Sequence, residues 1–321
     1  MDKVSSGQRA PDRDEGETQG AVSMPHLMKK FSAGSHGASC RPSSPGLSER
    51  MTGLGPPPQK TCEHCGAPFA YTLVELRDGK FIHAPLGCSC EGAQAAREAF
   101  ELARRRQERD DIVADRIQRA GLDDGKWARM TLGTWDPTRN APHAERALRA
   151  VRAYVAEMEL AGSNWLFLSG PYGVGKTHLA LSTLRRLAEE RLVSVRVVVW
   201  PAHCSAVKST YNKHAVLSEE ELCKGLRKAS VLLIDDVDKQ RPTEWALEKL
   251  YELVDYRYRL EKPTIFTANH SLGELVRLWG EIDDGSVSEA TKIRDTAAAV
   301  LSRIAGQLWG TIEVRGSDQR W

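Results

Sequence analysis

Residues 170–177 read GPYGVGKT and match every fixed position of the phosphate-binding pattern G-x-x-x-x-G-K-S/T. The apolar run NWLFLS precedes this stretch, and HLALSTLRRLAEE, which has the spacing of an amphipathic helix, follows it. A strand, a glycine loop and a helix in that order predict a parallel α/β sheet whose loop holds nucleotide phosphates. A chance glycine turn is the alternative, and the complete motif with its strand and helix disfavours it.

Each residue type in this loop has a reason in phosphate chemistry. Gly170, Gly173 and Gly175 allow backbone N–H groups to surround the phosphates without a side chain in the way. We expect Lys176 to bind the β- and γ-phosphates of ATP, and the Thr177 hydroxyl to bind Mg²⁺. The other nucleotide contacts predicted in this segment are Pro171, Tyr172, Val174 and His178.

Two further apolar runs end in polar side chains. Residues 231–236, VLLIDD, place two acids at the end of a strand, where open α/β sheets bind their ligands. We expect Asp235 to hold Mg²⁺ and Asp236 to orient or deprotonate the attacking water. Residues 264–270, TIFTANH, place Asn269 after the next strand, where its amide can sense the γ-phosphate. An ordinary turn asparagine is the alternative for that position.

Four cysteines form two close pairs, a C-x₂-C and a C-x-C with 22 residues between them: Cys62, Cys65, Cys88 and Cys90. The segment between the pairs alternates like a β-hairpin with a turn at Asp78-Gly79. Two such pairs can converge as four thiolates around Zn²⁺, with His83 able to replace one of them. Reduced cysteines without metal are the alternative.

The chain divides by composition into four segments. The first, 1–60, is rich in Gly, Pro and Ser and predicts a disordered tail, unless translation begins later, for example at Met51. A zinc-binding module over 61–92 and a charged helical linker over 93–120 follow. Over 121–321, apolar strands alternate with amphipathic helices, which predicts a parallel sheet with helices on both faces.

The charge balance and the apolar runs exclude several classes of protein. Lys and Arg number 45 against 43 Asp and Glu, which excludes a histone-like chain but leaves room for a local basic face that binds nucleic acid. No apolar run approaches the roughly 18 residues of a membrane helix, and no signal peptide is recognisable. We therefore expect a cytoplasmic protein without a membrane partner, in which seven cysteines favour metal over disulfides.

These motifs together resemble the AAA+ ATPases of the DnaC/DnaI-type replicative helicase loaders and their close relatives, the IstB-type transposition helpers. The resemblance is carried by AGLDDGKWARMTLGTWDP (120–137), GPYGVGKTHLA (170–180), VLLIDDVDK (231–239), TEWALEKLYELVDYRYRLEKPTIFTANHS (243–271) and AVLSRIAGQLWGTIEVRGSDQRW (299–321). It implies an AAA+ core with five parallel strands. It also implies that Arg303 is the arginine finger that reaches a neighbouring subunit's ATP, and that Arg320 is a sensor arginine in cis.

The resemblance implies a loader that binds a hexameric replicative helicase through the zinc module and self-assembles on ATP. The family pattern also implies contact with single-stranded DNA near Lys208, Tyr211 and Lys213, where a plain surface helix is the alternative. IstB-type helpers generally lack a four-cysteine module, so the cysteines favour the loader. A small-molecule P-loop kinase and a non-enzymatic zinc adaptor are further alternatives, and the complete GKT and IDD motifs disfavour the adaptor.

Overall fold

A computed structural model gives the architecture of residues 56, 58–76, 81–136, 138, 143–159, 164–212, 215–281, 287–316 and 318. The chain divides into two compact units, residues 1–89 and residues 90–321. Most of the predicted 1–60 tail, the predicted turn at Asp78-Gly79, Lys213 and Arg320 lie outside the described residues. Where the chain is described, none of its helices has the length and apolar character needed to cross a bilayer.

The described residues of the first unit contain one antiparallel hairpin. Strand β1 (Ala70–Glu75) pairs with β2 (Phe81–Leu86), with Ala70 opposite Leu86 and Glu75 opposite Phe81. This is the hairpin that the alternating pattern between the cysteine pairs predicts. Thr61 forms an isolated antiparallel bridge with Pro68, which closes the short loop containing the first cysteine pair.

The second unit is built on one parallel sheet. Its strands are β3 (Trp165–Ser169), β4 (Val195–Val199), β5 (Val231–Asp235), β6 (Thr264–Ala268) and β7 (Leu308–Glu313). They lie in the order β4-β5-β6-β3-β7, and every neighbouring pair is parallel. Every residue of β3, β5 and β6 is buried, because helices cover both faces of the sheet, which explains their nearly continuous apolar runs. The predicted five-stranded parallel α/β core is confirmed.

Eight helices accompany the sheet among the described residues: α1 (Glu91–Arg119), α2 (His143–Glu157), α3 (Lys176–Arg191), α4 (Trp200–Ser209), α5 (Glu219–Lys228), α6 (Glu244–Arg259), α7 (Leu272–Gly280) and α8 (Val287–Gln307). One apolar layer packs α2 and α3 against the sheet, and a second layer packs α6, α7 and α8 against its other face. The sequence predicts the last of these helices over 292–306, so α8 begins five residues earlier than expected. Serine N-caps with capping boxes fix the starts of α5 and α7.

A buried arginine ties α6 to the beginnings of two strands. The Arg257 side chain is completely buried and donates to the Thr264 hydroxyl at 2.8 Å. It also donates to four backbone carbonyls, at distances from 2.6 to 3.3 Å: those of Leu226, Ala229, Ser230 and Pro263. Burial lowers the pKa of Arg257 to about 9. The planar guanidinium therefore satisfies the carbonyls that precede β5 and β6, which gives this part of the family pattern a structural role.

Candidate functional site

The phosphate loop joins β3 to α3, as the motif predicts. Gly170 and Gly173 have φ angles of 145° and 77°, which side chains rarely tolerate. A Cβ atom at Gly170 would lie 2.0 Å from the Val314 carbonyl oxygen, and one at Gly173 would lie 1.9 Å from Asp318 Oδ1. The loop thus has glycine where the backbone is left-handed and closely packed. Its end leads directly into α3, whose first N–H groups are available to an anion.

Lys176, the first residue of α3, turns its ammonium group back into the loop. Its Nζ donates to the carbonyls of Gly170 and Pro171, both at 2.8 Å, and to Asn269 Oδ1 at 3.1 Å. The residue is 6% exposed, and burial lowers the pKa of Lys176, while the nearby carboxylate of Asp236 opposes this change. The loop therefore holds a buried positive charge beside the glycine backbone, which is the environment that phosphate oxygens need.

Thr177 and Asp235 lie together at the carboxyl end of the sheet. The Thr177 hydroxyl donates to Asp235 Oδ1 at 3.0 Å, and the Thr267 hydroxyl donates to the same oxygen at 2.6 Å. Burial raises the pKa of Asp235, and the hydrogen bond from Thr267 opposes that rise. A hydroxyl and a carboxylate are hard oxygen ligands of the kind Mg²⁺ prefers, so these residues fit the predicted ion.

Asp236 stands at the edge of the same site in an unusual backbone conformation. Its φ angle is 57°, in the left-handed region, and its N–H donates to the Thr267 hydroxyl at 2.8 Å. The Asp236 carboxylate forms an ion pair with Lys239, whose ammonium lies 5.6 Å from the ring centre of Tyr172. Thr267 thus positions both acids at the end of the VLLIDD run, Asp235 and Asp236, a role that the sequence pattern does not reveal.

Asn269 is brought next to the phosphate loop, as its place after β6 predicts. Its Oδ1 accepts the bond from Lys176, and its Nδ2 donates to Asp238 Oδ1 at 3.2 Å. Asp238 is a functional-site residue that sequence reasoning missed. The signal available was its place two residues after Asp236, in the same loop.

Most of the predicted nucleotide contacts line one cleft of about 260 Å³. Lys126 and Met130 line it as well, although the only signal for them in the sequence was their place in the 120–137 segment. His178 also lines the cleft, yet its Nε2 donates to the Thr131 carbonyl at 2.9 Å, and its ring lies edge-on to Trp135 at 5.5 Å. Burial lowers the pKa of His178, and the hydrogen bond to the Thr131 backbone opposes that change. This histidine joins α3 to the segment that includes Lys126 and Met130.

Arg303, on α8, faces α6 of its own chain. Its guanidinium donates to Asp255 Oδ1 at 3.0 Å and to the Tyr251 hydroxyl at 2.8 Å. The same group lies 4.6 and 5.7 Å from the ring centres of Tyr251 and Tyr258. Arg303 is not among the described residues that line the cleft, so the structure does not bring it to the chain's own phosphate loop. Its predicted action on a neighbouring subunit stays a prediction, and so does that of Arg320.

The four cysteines of the two pairs converge. Their sulfur atoms all lie within 4.8 Å of one another, and those of Cys65 and Cys88 are 3.4 Å apart. A tight turn brings the first pair together, since the Cys62 carbonyl accepts from the Gly66 N–H at 2.8 Å. Four thiolates on a zinc ion at about 2.3 Å would be about 3.8 Å apart, so the cluster fits Zn²⁺. Cys90 is the N-cap residue of α1, and His83 does not belong to this group of ligand atoms.

The site combines a glycine loop that holds a buried lysine with a threonine–aspartate pair at the edge of the sheet. The sheet has the strand order β4-β5-β6-β3-β7. Together these features define a P-loop nucleotide-binding protein of the AAA+ class. A family model of the bacterial DnaA ATPase domain matches residues 140–283. The chain is 30% identical over 205 residues to an ATP-binding protein in an insertion sequence of Mycobacterium tuberculosis, covering 62% of this chain and 71% of that relative. The chain belongs to the AAA+ family of DnaC/DnaI-like and IstB-like ATP-binding proteins.

Two relatives carry the name replicative helicase loader. The chain is 31% identical to DnaC of Escherichia coli K12 over 135 residues, which cover 42% of this chain and 54% of DnaC. Similarity to DnaI of Bacillus subtilis is 28% over 156 residues, covering 48% of this chain and 47% of DnaI. The chain therefore spans about half the length of these relatives. A crystal structure of DnaI aligns with a TM-score of 0.47 and 26% identity, over 60% of this chain and 91% of that one.

Proposed function

We propose that this protein is an ATP-dependent loader of a hexameric replicative DNA helicase, acting in the cytoplasm. The observation that carries the proposal is the presence, on one chain, of an AAA+ nucleotide site and a four-cysteine cluster. Its similarity to DnaC and DnaI supports the same conclusion. In this proposal the cysteine module contacts the helicase, and the AAA+ unit assembles on ATP and single-stranded DNA.

The proposed reaction is hydrolysis of ATP to ADP and phosphate. Lys176 binds the β- and γ-phosphates, and Thr177 and Asp235 hold Mg²⁺, which offsets phosphate charge when bound. A water oxygen forms a bond to the γ-phosphorus as the bond to the bridging oxygen breaks, and Asp236 orients that water and accepts its proton. Asn269 hydrogen-bonds beside the γ-phosphate. In a shared site, Arg303 of one subunit stabilises phosphoryl charge on the ATP of the next, while Arg320 acts in cis.

The cysteine cluster supports a structural zinc ion. Cys62, Cys65, Cys88 and Cys90 would hold Zn²⁺ as four thiolates, which supplies folding energy to a small module that buries little apolar surface. A module folded in this way presents a fixed surface, and we assign helicase binding to it.

An exposed aromatic and basic cluster supports contact with single-stranded DNA. Lys208 Nζ lies 4.9 Å from the ring centre of Trp245, and the Trp245 indole N–H donates to the Tyr211 hydroxyl at 3.2 Å. Tyr211 is 57% exposed. Aromatic rings beside lysines are the groups on which unpaired bases stack.

A second candidate is an ATPase helper of a DNA transposase. The observation that favours it is the similarity to the ATP-binding protein in the insertion sequence, because the alignment covers 71% of that relative but about half of DnaC or DnaI. The cysteine cluster favours the loader instead.

A pull-down with purified partners separates the two candidates. The tagged full chain, with Mg²⁺ and ATP, is offered the replicative helicase and the transposase of the same genome. A loader retains the helicase, and the double variant Cys65→Ser/Cys88→Ser loses it. The variant Cys223→Ser, altered at a half-buried cysteine outside the cluster, serves as the matched control. Retention of the transposase alone would instead support the helper.

A further inference from the structure

The carboxylate of Asp238 joins the two loops that carry the proposed catalytic groups. It lies in the loop after β5 that also holds Asp236, and its side chain is 2% exposed. Its Oδ2 accepts from the backbone N–H groups of Asn269 at 2.7 Å and His270 at 3.1 Å, and from His270 Nδ1 at 2.8 Å. Its Oδ1 accepts from Asn269 Nδ2 at 3.2 Å. A buried charge is thus fully satisfied by the tip of the neighbouring strand.

This arrangement determines which end of the Asn269 amide faces the phosphate loop. An ionised carboxylate can only accept hydrogen bonds, so Asn269 must present its Nδ2 to Asp238. Its Oδ1 is then turned to Lys176, whose Nζ lies 3.1 Å away. In the reverse orientation, amide hydrogens would face the ammonium and the amide oxygen would face the carboxylate. Both contacts are repulsive, and the buried setting makes them costly.

We propose that Asp238 is a positioning residue for ATP hydrolysis, which sets the orientation of the Asn269 amide and holds the tip of β6 against the loop after β5. The inference rests on the proposed ATPase activity. Asp238 is not among the described residues that line the cleft, so it acts through Asn269 rather than on the nucleotide. His270, whose side chain is 46% exposed, adds a donor without entering the cleft.

The variant Asp238→Asn tests the role directly, because it keeps the size of the side chain and removes its acceptor-only character. The new amide can donate to Asn269 Oδ1, which permits the reversed orientation. We expect ATP hydrolysis by the full chain to fall about tenfold or more, since hydrogen bonds to a charged group are lost. The affinities for ATP and ADP stay within about threefold, since the loop contacts remain. Asp115→Asn, at an exposed aspartate paired with Arg119 on α1, is the matched control and keeps the wild-type rate.

The variant Asp238→Glu keeps an acceptor-only carboxylate in the same loop and leaves Asn269 unchanged, so the Asn269 amide can keep its orientation. We expect Asp238→Glu to recover much of the rate that Asp238→Asn loses. A merely structural role predicts no such recovery.

Three outcomes would overturn the proposed role of Asp238: a wild-type hydrolysis rate in Asp238→Asn, no recovery in Asp238→Glu, or loss of thermal stability and nucleotide binding together with hydrolysis in Asp238→Asn. The proposed function fails in a different way. A wild-type chain that turns over no ATP contradicts the ATPase itself, whereas an active wild type with an unaffected Asp238→Asn contradicts only the positioning role.

Discussion

The two units of this chain differ in what can hold them folded. The second unit buries large apolar side chains on both faces of its sheet, including Trp165, Phe167 and Phe266, all 0% exposed. In the described part of the first unit, Cys62 is the one buried apolar residue, and hairpin side chains such as Leu73 and Ile82 are more than 40% exposed. Burial of apolar surface is the main favourable term in folding. The second unit therefore has a core on which it can fold, whereas the described part of the first unit buries little apolar surface.

The largest effect expected is on the second unit alone. Lys176→Ala should abolish measurable ATP binding, because charge-assisted hydrogen bonds to phosphate are lost from a buried position. Titration with a fluorescent ATP analogue measures this, and zinc content should not change. Lys292→Ala, at a side chain 65% exposed that pairs with Glu244, is the matched control. Wild-type affinity in Lys176→Ala would contradict the assignment of the phosphate loop.

Arg303→Ala tests whether neighbouring second units share a site. The variant should bind ATP nearly normally and lose assembly-stimulated hydrolysis by about 10³-fold, because a guanidinium that offsets phosphoryl charge is removed. Steady-state turnover of mixed variants is the measurement. Mixing Arg303→Ala with Lys176→Ala subunits should restore part of the activity. The Lys176→Ala subunit can supply its Arg303 to the intact phosphate loop of the Arg303→Ala subunit. If wild-type subunits assemble and hydrolyse while the mixture stays inactive, Arg303 does not act in trans.

Removal of metal should affect residues 61–92 and leave the nucleotide site intact. We expect about one zinc per chain by elemental analysis, and a chelator should unfold residues 61–92, because the thiolate–zinc bonds supply their folding energy. Hydrogen exchange followed by mass spectrometry resolves the two units, and ATP affinity should be retained. A preparation without zinc that keeps the protection of residues 61–92 would show that the comparison between the units is wrong.

The smallest expected effect concerns the core of the second unit. Arg257→Met should lower its free energy of unfolding by about 3 kcal/mol, because several buried carbonyls lose their donor. Urea unfolding measures the change. Arg259→Met, on the same helix at a side chain 66% exposed, should cost less than about 1 kcal/mol. An equal loss of free energy of unfolding in the two variants would contradict the structural role of Arg257.

The parts of the site that the sequence predicts are those set by local pattern. The phosphate loop needs glycine at positions of unusual backbone conformation, and Asp235 and Asp236 come directly after an apolar run, so each feature is visible in a single stretch of sequence. The position of Asn269 near the phosphate loop was predictable too, because it follows an apolar run and the carboxyl ends of parallel strands meet at one edge of the sheet.

The parts that were missed depend on contacts between distant segments. Thr267 and Asp238 act by hydrogen bonds to groups about thirty residues away along the chain, and no local pattern records these bonds. Arg257 sits among tyrosines and charged residues near the end of a helix, where an arginine is usually exposed, yet the strand ends surround it completely. The early start of α8 was missed because residues 281–290 have the composition of a loop.

The close approach between Gly170 and the Val314 carbonyl connects the phosphate loop to the end of β7. Val314 follows β7 and donates its N–H to the Ser169 carbonyl at 2.7 Å, so the end of this strand is fastened to the residue just before the phosphate loop. Strand β7 continues directly from α8, the helix that bears Arg303. A Cβ atom at Gly170 would lie 2.0 Å from the Val314 carbonyl oxygen, so only glycine lets the loop pack this closely against the end of β7. The backbone therefore runs without interruption from the helix that bears Arg303 to a residue that is hydrogen-bonded beside the phosphate loop.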